Sequence, residues 1–124
     1  MRYQSKQYVR WDDLDAFGHV NNAVYLTYAQ EARFAWSGIL EMVVARAEVD
    51  FIAPIYDGDT FLDIELWVSA IGNSSFTMTY EIKMKGELVA RVKTVQVTVD
   101  MKSKKSRPID DEQRAFLTKY LETE

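Results

Sequence analysis

The sequence predicts an α+β fold in which an antiparallel sheet of about five strands curls around one long central helix. In a helix, residues 22–37 place apolar side chains around most of the circumference, so that the polar face is narrow. A helix of this kind is largely enclosed by its neighbours. The segments that follow alternate apolar and polar residues with period two, which is typical of half-buried antiparallel strands. A sheet wrapped around the helix satisfies both observations.

The predicted elements follow one another as strand, helix, four strands and a short helix. The first strand lies in YQSKQYVRW. Asn21 or Asn22 suits the N-cap of the central helix, because an amide oxygen accepts hydrogen bonds from free N–H groups of the first turn. Gly38 is a natural stop for that helix. The short helix lies in DDEQRAFLTKYLE, and its apolar side carries Phe116, Leu117, Tyr120 and Leu121.

Three of the later strands alternate regularly. Their predicted buried faces carry Ala45, Ala47, Val49 and Phe51; Leu62, Ile64, Leu66, Val68 and Ala70; and Phe76, Met78, Tyr80, Ile82 and Met84. The last strand changes phase between Val92 and Val95. A bulge near Lys93 and Thr94 would explain this change, as would burial of both faces at a contact between subunits.

Composition removes most catalytic chemistries. The 124 residues include no cysteine and one histidine, which excludes a thiolate nucleophile and a multi-histidine metal site within one chain. The chain has no G-x-S-x-G, P-loop or G-x-G-x-x-G motif, and we expect no cofactor. A formal net charge of −4 argues against nucleic-acid binding. No apolar run approaches the roughly 18 residues of a membrane span, so we expect a cytoplasmic protein whose catalytic groups are carboxylates.

One stretch gathers the remaining polar chemistry. DDLDAFGHVNN, residues 12–22, holds three aspartates, a glycine, the single histidine and two asparagines directly before the apolar helix. The residue types alone leave two interpretations open. The stretch is either an elaborate helix cap or a catalytic site built on a helix N-terminus.

The segment VRWDDLDAFGHVNNAVYLTYAQEAR resembles the opening of the 4-hydroxybenzoyl-CoA thioesterase family, which includes YbgC-like acyl-CoA thioesterases. DLD and HVNN also resemble plant acyl-ACP thioesterases. The likeness continues through VDFIAPIYDGDTFLDIELWV and GELVARVKTVQVTVDMKSKKSRPI, and so covers nearly all of one predicted domain, residues 1–124. The resemblance implies the hotdog fold and hydrolysis of an acyl thioester to a free acid and a thiol.

The resemblance also implies roles for individual residues. The second aspartate of the D-x-D pattern is the catalytic carboxylate, which is Asp15 here, as general base or nucleophile. Asn22 matches the oxyanion donor, through its backbone N–H. His19 matches the histidine of the plant D-x-N-x-H run, although Phe17 replaces the asparagine, and we expect His19 to have a catalytic or orienting role or a structural one. Free N–H groups at a helix start stabilise a developing oxyanion.

Other residues are candidates for substrate contact or structure. The basic run DMKSKKSRP is either a solvated turn or a site that attracts the phosphates of coenzyme A. Asp12 and Asp13 are expected to be structural, and Glu31 is expected to pair with a cation on a facing strand. The candidate substrate-binding residues are Gly18, Asn21, Tyr25, Asn73, Ser74, Ser75, Lys102, Lys104 and Lys105.

The predicted activity is therefore that of an acyl-CoA thioesterase, with acyl-carrier protein as the alternative donor. A hotdog binding or assembly protein without hydrolytic activity is the alternative from another class. A hotdog dehydratase is disfavoured, because neither Asp13 nor Asp15 forms a D-x-x-x-x-H dyad with His19. We also expect a homodimer or homotetramer, since a curled sheet leaves long edge strands that a second copy can pair.

Overall fold

One antiparallel sheet and two helices make up the computed structural model, which describes residues 1–37 and 41–123. The strands follow the order β1-β3-β4-β5-β2 across the sheet, and every neighbouring pair is antiparallel. The elements are β1 (Tyr3–Val9), α1 (Tyr25–Trp36), β2 (Met42–Phe51), β3 (Thr60–Ile71), β4 (Ser75–Met84), β5 (Glu87–Thr98) and α2 (Asp111–Lys119).

The sheet curls around α1, which confirms the predicted hotdog fold, but the central helix is not long. It has 12 residues, and a 3-10 turn at Asn22–Val24 precedes it. The predicted stop at Gly38 lies outside the described residues. The expectation that the helix is largely enclosed is wrong within a single chain, because the sheet covers only one face of the helix. The apolar Leu26 and Phe34 are exposed, whereas the charged Arg33 is buried.

Period-two alternation predicts β3 and β4 correctly. The inward side chains of both strands are buried as expected, from Leu62 to Val68 and from Phe76 to Met84. The prediction that Ala70 lies on the buried face is wrong, because Ala70 is exposed. The register between β3 and β4 shifts between Val68 and Ala70, and such an irregularity turns the following side chains away from their expected face.

The expected half-burial of β2 is wrong, since the strand is exposed along most of its length. It forms one edge of the sheet and pairs only with β5 within the described chain. Its inward-facing side chains include Val44 and Phe51, which are 46% and 49% exposed. Phe51 reaches Tyr25 of α1 with one edge of its ring but stays half exposed, so β2 presents an apolar face and, within the described chain, an unpaired edge.

The predicted bulge near Lys93 and Thr94 is also wrong, because β5 keeps its register with β4 through this region. The phase changes because the inward positions become polar: Thr94, Gln96 and Thr98 are all buried. Their hydrogen bonds form a polar ladder. The hydroxyls of Tyr80 and Thr94 lie 2.8 Å apart, Thr94 donates to Gln96, and Gln96 Nε2 donates to the carbonyl of Phe76 at 3.1 Å. Burial of the other face by a second subunit stays a prediction.

The C-terminal helix has the predicted apolar side, and this side packs against Trp36 of α1. Asp110 caps α2 by accepting from the N–H of Gln113 at 2.7 Å. Leu117 is fully buried, and the rings of Phe116 and Tyr120 lie 5.1 and 5.4 Å from that of Trp36. No helix in the described ranges is long and apolar enough to cross a membrane.

Candidate active site

A closed loop carries Asp15 and His19 to the end of the sheet where α1 begins. Leu14 and Val20 form an antiparallel bridge at its base. Inside the loop, the N–H of Asp15 donates to the carbonyl of His19 at 2.8 Å, and the N–H of Gly18 donates to the carbonyl of Asp15 at 3.1 Å. Gly18 has φ of +83°, a conformation that glycine adopts without steric cost. Gly18 therefore serves the tight turn of this loop.

The carboxylate of Asp15 is held in place by its own loop. Oδ1 accepts hydrogen bonds from the N–H of Phe17 at 2.8 Å and from the N–H of His19 at 3.5 Å. Oδ2 lies 3.2 Å from Nδ1 of His19, and the two side chains are 25% and 35% exposed. The pair therefore stays within reach of water and within the distance over which a proton can be exchanged.

Asp13 is placed quite differently from Asp15. Its carboxylate is buried and accepts from the hydroxyl of Tyr28 at 2.7 Å, from the N–H of Arg10 at 3.0 Å and from the guanidinium of Arg10 at 3.2 Å. Burial, and then the hydrogen bond to Asp13, raise the pKa of Tyr28 well above its usual range. Asp13 thus ties the loop to α1, which is the structural role expected of it.

The start of the helix leaves one backbone donor available. Asn21 is the N-cap of the 3-10 turn that leads into α1, because its Oδ1 accepts from the N–H of Ala23 at 2.9 Å. The carbonyl of Asn21 accepts from the N–H of Val24 at 3.0 Å. Within residues 1–37 and 41–123, no group accepts a hydrogen bond from the N–H of Asn22. This donor lies at the positive end of the helix dipole, where it can stabilise negative charge.

A pocket of about 180 Å³ lies beside this donor. Tyr25, buried at the back, meets the ring of Phe51 edge-on at a centroid distance of 5.1 Å. The wall on the β2 side is open, since Phe51 and Ile52 are each about half exposed. The lining residues are His19, Val20, Asn22, Tyr25, Phe51, Ile52, Ala53 and Pro54. An apolar pocket with one imidazole and one free N–H can hold an acyl group and polarise its carbonyl.

A larger pocket, of about 450 Å³, lies on the outer face of the sheet and contains none of the predicted site residues. Its charges largely pair with one another. Arg2 bonds to Glu65, Glu81 and Glu122 and covers the ring of Trp67 at 3.8 Å. No helix start and no predicted site residue lies among the described residues that line this pocket, so it is not the site that the sequence predicts.

The structure does not bring all the predicted site residues together within one chain. The turn of Asn73, Ser74 and Ser75 meets the end of β5, where the N–H of Thr98 donates to the carbonyl of Ser74. The exposed Lys102, Lys104 and Lys105 follow on the same side. Asp15 lies near the other end of β5, and 12 residues at about 3.3 Å each separate the two ends by roughly 35 Å.

Two neighbours of His19 were not predicted as part of the site. The ring of Phe17 stacks on the imidazole with 6.3 Å between centroids, and the ring of Tyr56 meets it edge-on at 6.2 Å. Phe17 stood out in the sequence only as a departure from the plant pattern, and no local signal marks Tyr56. The ion pair expected of Glu31 is wrong in the described part of the chain, because Glu31 lies on the exposed face of α1.

Known thioesterases resemble this chain in sequence and in structure. A family model described as the thioesterase-like superfamily matches residues 9–117. The 1,4-dihydroxy-2-naphthoyl-CoA hydrolase of Synechococcus elongatus is 26% identical, over 93% of this chain and 94% of its own length. The long-chain acyl-CoA thioesterase FadM of Escherichia coli is also 26% identical, over 95% and 98%. A solved thioesterase from Thermus thermophilus, complexed with coenzyme A and Zn, is 31% identical with a TM-score of 0.86, over 94% of this chain and 92% of that one.

Proposed function

The chain belongs to the thioesterase-like superfamily and is a thioester hydrolase, and we propose that it cleaves acyl-CoA with Asp15 as the catalytic carboxylate. The observation that carries this proposal is the Asp15–His19 pair in a loop that leads directly to the free N–H of Asn22 and an apolar pocket. The names of the relatives support CoA as the carrier of the acyl group.

Thioester chemistry needs little beyond these groups. A thiolate with a conjugate-acid pKa of about 8.5 leaves readily, so its departure requires little protonation. As a general base, Asp15 takes a proton from water while the water oxygen attacks the carbonyl carbon. The N–H of Asn22 stabilises the resulting oxyanion, and the C–S bond then breaks to release the CoA thiolate. As a nucleophile, the Asp15 carboxylate attacks the carbonyl carbon and the C–S bond breaks to release the CoA thiolate; water then hydrolyses the mixed anhydride to the free acid and the Asp15 carboxylate.

His19 supports the carboxylate in either route. Its Nδ1 lies 3.2 Å from Oδ2 of Asp15, and the imidazole lines the pocket. We therefore assign it the role of orienting Asp15 and the attacking water. Loss of His19 should lower kcat less than loss of Asp15, because the carboxylate and the oxyanion donor would both remain.

A second copy of the chain would complete the site. Antiparallel pairing between the free edges of two β2 strands sets the start of one strand beside the end of the other. The start of β2 lies next to the end of β5 and hence near the basic run, whereas its end lies at the open wall of the pocket. Lys102, Lys104 and Lys105 of one chain would then approach the pocket of the other, where they could attract CoA phosphates.

The dimer is tested by light scattering together with activity at the same concentration. We expect a homodimer, or a pair of dimers, at micromolar concentration. A stable and fully active monomer would contradict both the pairing of β2 and the shared site.

The activity is tested by thiol release from a panel of thioesters that contains aryl-CoA, short and long alkyl-CoA and acyl-carrier protein. We expect release from at least one class of CoA thioester. Release from acyl-carrier protein alone would favour that alternative donor. Tight binding of acyl-CoA with no thiol released from any member would overturn the hydrolytic proposal.

A further inference from the structure

We propose that Phe17 and Tyr56 are positioning residues whose rings bracket the imidazole of His19 and hold its Nδ1 toward Asp15. The functional part of this inference rests on the proposed catalytic role of Asp15. The bracket itself is a geometric arrangement that can be tested separately.

The two rings approach the imidazole from different parts of the chain. Phe17 belongs to the Asp15 loop and stacks on His19, with the ring planes inclined by 23°. Tyr56 belongs to the segment between β2 and β3 and meets the same imidazole edge-on, at 69°. Both centroid distances fall within the range of attractive aromatic pairs. A stacked face and an edge contact together restrict rotation of the imidazole about its side-chain bonds.

Burial does not explain why these two rings are present. Phe17 is 85% exposed and Tyr56 is 64% exposed, so each gains little from removal of apolar surface from water. A single exposed ring needs no explanation. These two exposed rings, however, contact the same half-buried histidine, and that histidine also contacts Asp15. Trp11 is 70% exposed but makes no ring contact in the described part of the chain, so it serves as a matched control.

The bracket has a consequence for the proposed chemistry. When Nδ1 faces Asp15, Nε2 lies on the other side of the ring and is left for water or the substrate, because His19 lines the pocket. When the imidazole rotates, the contact with Asp15 is lost. The bracket therefore raises the population of the arrangement in which Asp15 and His19 act together.

The kinetic test replaces each ring. Phe17→Ala and Tyr56→Ala should each lower kcat by roughly 2- to 12-fold, the population shift that one aromatic contact supports, with KM nearly kept. Tyr56→Phe and Phe17→Tyr keep a ring in place and should retain most of the activity. Trp11→Ala should leave kcat unchanged. Equal kcat in wild type and both alanine variants would overturn the proposal.

The structural test uses the fact that the chain has one histidine. In untagged protein labelled with ¹⁵N-histidine, the nitrogen resonances report the tautomer of His19 without overlap. We expect one dominant Nδ1–H tautomer in wild type and in Trp11→Ala, and a mixture in the two alanine variants. An unchanged tautomer in those variants would overturn the bracket even if kcat fell. If wild type hydrolyses no thioester, the proposed function fails, yet the resonances still decide whether the bracket exists.

Discussion

The loop that begins at Asp15 and the loop that begins at Asp100, at opposite ends of the sheet, are built in the same way. In each, Oδ1 of the aspartate accepts from the N–H two residues later, at 2.8 Å and 2.7 Å. Each loop is closed by an antiparallel bridge. Each also contains one residue in the left-handed region, Gly18 at φ +83° and Lys104 at φ +63°.

The surroundings of the two carboxylates differ. Asp15 directs Oδ2 toward His19 and lies next to a helix start with an apolar pocket. Asp100 lies on an exposed loop among lysines, and hydrogen bonds from the N–H groups of Ser103 and Lys102 hold its pKa below the usual range. A turn motif thus determines local backbone structure, whereas the chemistry of its carboxylate depends on what the tertiary structure places beside it.

The largest expected effect separates these two aspartates. Asp15→Asn keeps the shape of the side chain and removes its charge, so kcat should fall by about 10²–10⁴-fold, the usual range for loss of a general base. KM should change little, because the pocket and the helix start remain. Steady-state thiol release measures both constants.

Asp100→Asn is the matched control, since it removes a carboxylate from a loop of the same design, and it should leave kcat unchanged. Asp12→Asn, on an exposed residue of the same segment, should also have little effect. Asp13 is unsuitable as a control because its buried carboxylate bonds to Tyr28 and Arg10. A folded Asp15→Asn protein with near wild-type turnover would rule out the proposed mechanism, and His19 would then be the candidate for the catalytic group.

A smaller effect is expected at the basic end. Changing Lys104 and Lys105 together to alanine should raise KM for acyl-CoA by roughly tenfold at low ionic strength, because less positive charge attracts the phosphates. The difference should shrink as salt screens the charges, and kcat should be nearly kept. Unchanged KM at low salt would show that the run is a solvated turn.

Mixing variants tests whether the two ends meet between chains. Asp15→Asn chains and chains with both lysines replaced are unfolded, mixed in equal amounts and refolded. If the site is shared, half of the randomly formed dimers are mixed, and one of the two sites in each mixed dimer has both Asp15 and the lysines. About a quarter of all sites should then show wild-type kcat and low KM. Activity that merely equals the mean of the two separate variants would show that each chain uses its own lysines or none.

The smallest expected effect concerns stability. The pKa of Asp100 is lowered in the folded chain by the N–H donors of its loop, so its ionised form stabilises the fold at neutral pH. That contribution is present above the unfolded pKa and is lost as the pH falls through the folded one. Asp100→Asn should therefore lower Tm slightly at pH 7 and not at strongly acidic pH. A Tm difference that grows on acidification would contradict this sign.

Local patterns predict much of the fold because they act within one element. Alternation in residues 60–71 and 75–84 places the buried faces of β3 and β4, and the amide of Asn21 caps the helix as its position suggests. The same alternation in β2 does not predict burial, because its position at the sheet edge depends on strand order. In the sequence, Thr94, Gln96 and Thr98 interrupt the alternation of apolar and polar residues in β5. In the structure these polar side chains are buried with internal partners, so the alternation of inward and outward positions continues.

The candidate site could be predicted only in part, for a similar reason. The cluster DLDAFGHVNN is contiguous, so its loop and helix start come together through local folding. Tyr56 reaches His19 from a segment 37 positions further along the chain. The lysines that follow β5 lie far from Asp15 in one chain, which follows from the direction of a strand and not from any residue type.

The polar ladder on the inner face of β5 also constrains how the sheet assembles. A purely apolar face tolerates a slip of two residues, because similar side chains again meet the core. The hydroxyl of Thr94 meets that of Tyr80 in one alignment only, and a slip of two residues would separate them. A misaligned chain would lose this buried hydrogen bond between the strands, at a cost of about 0.5–1.5 kcal/mol. These few polar atoms thus favour the native register of β4 with β5 over a shifted one.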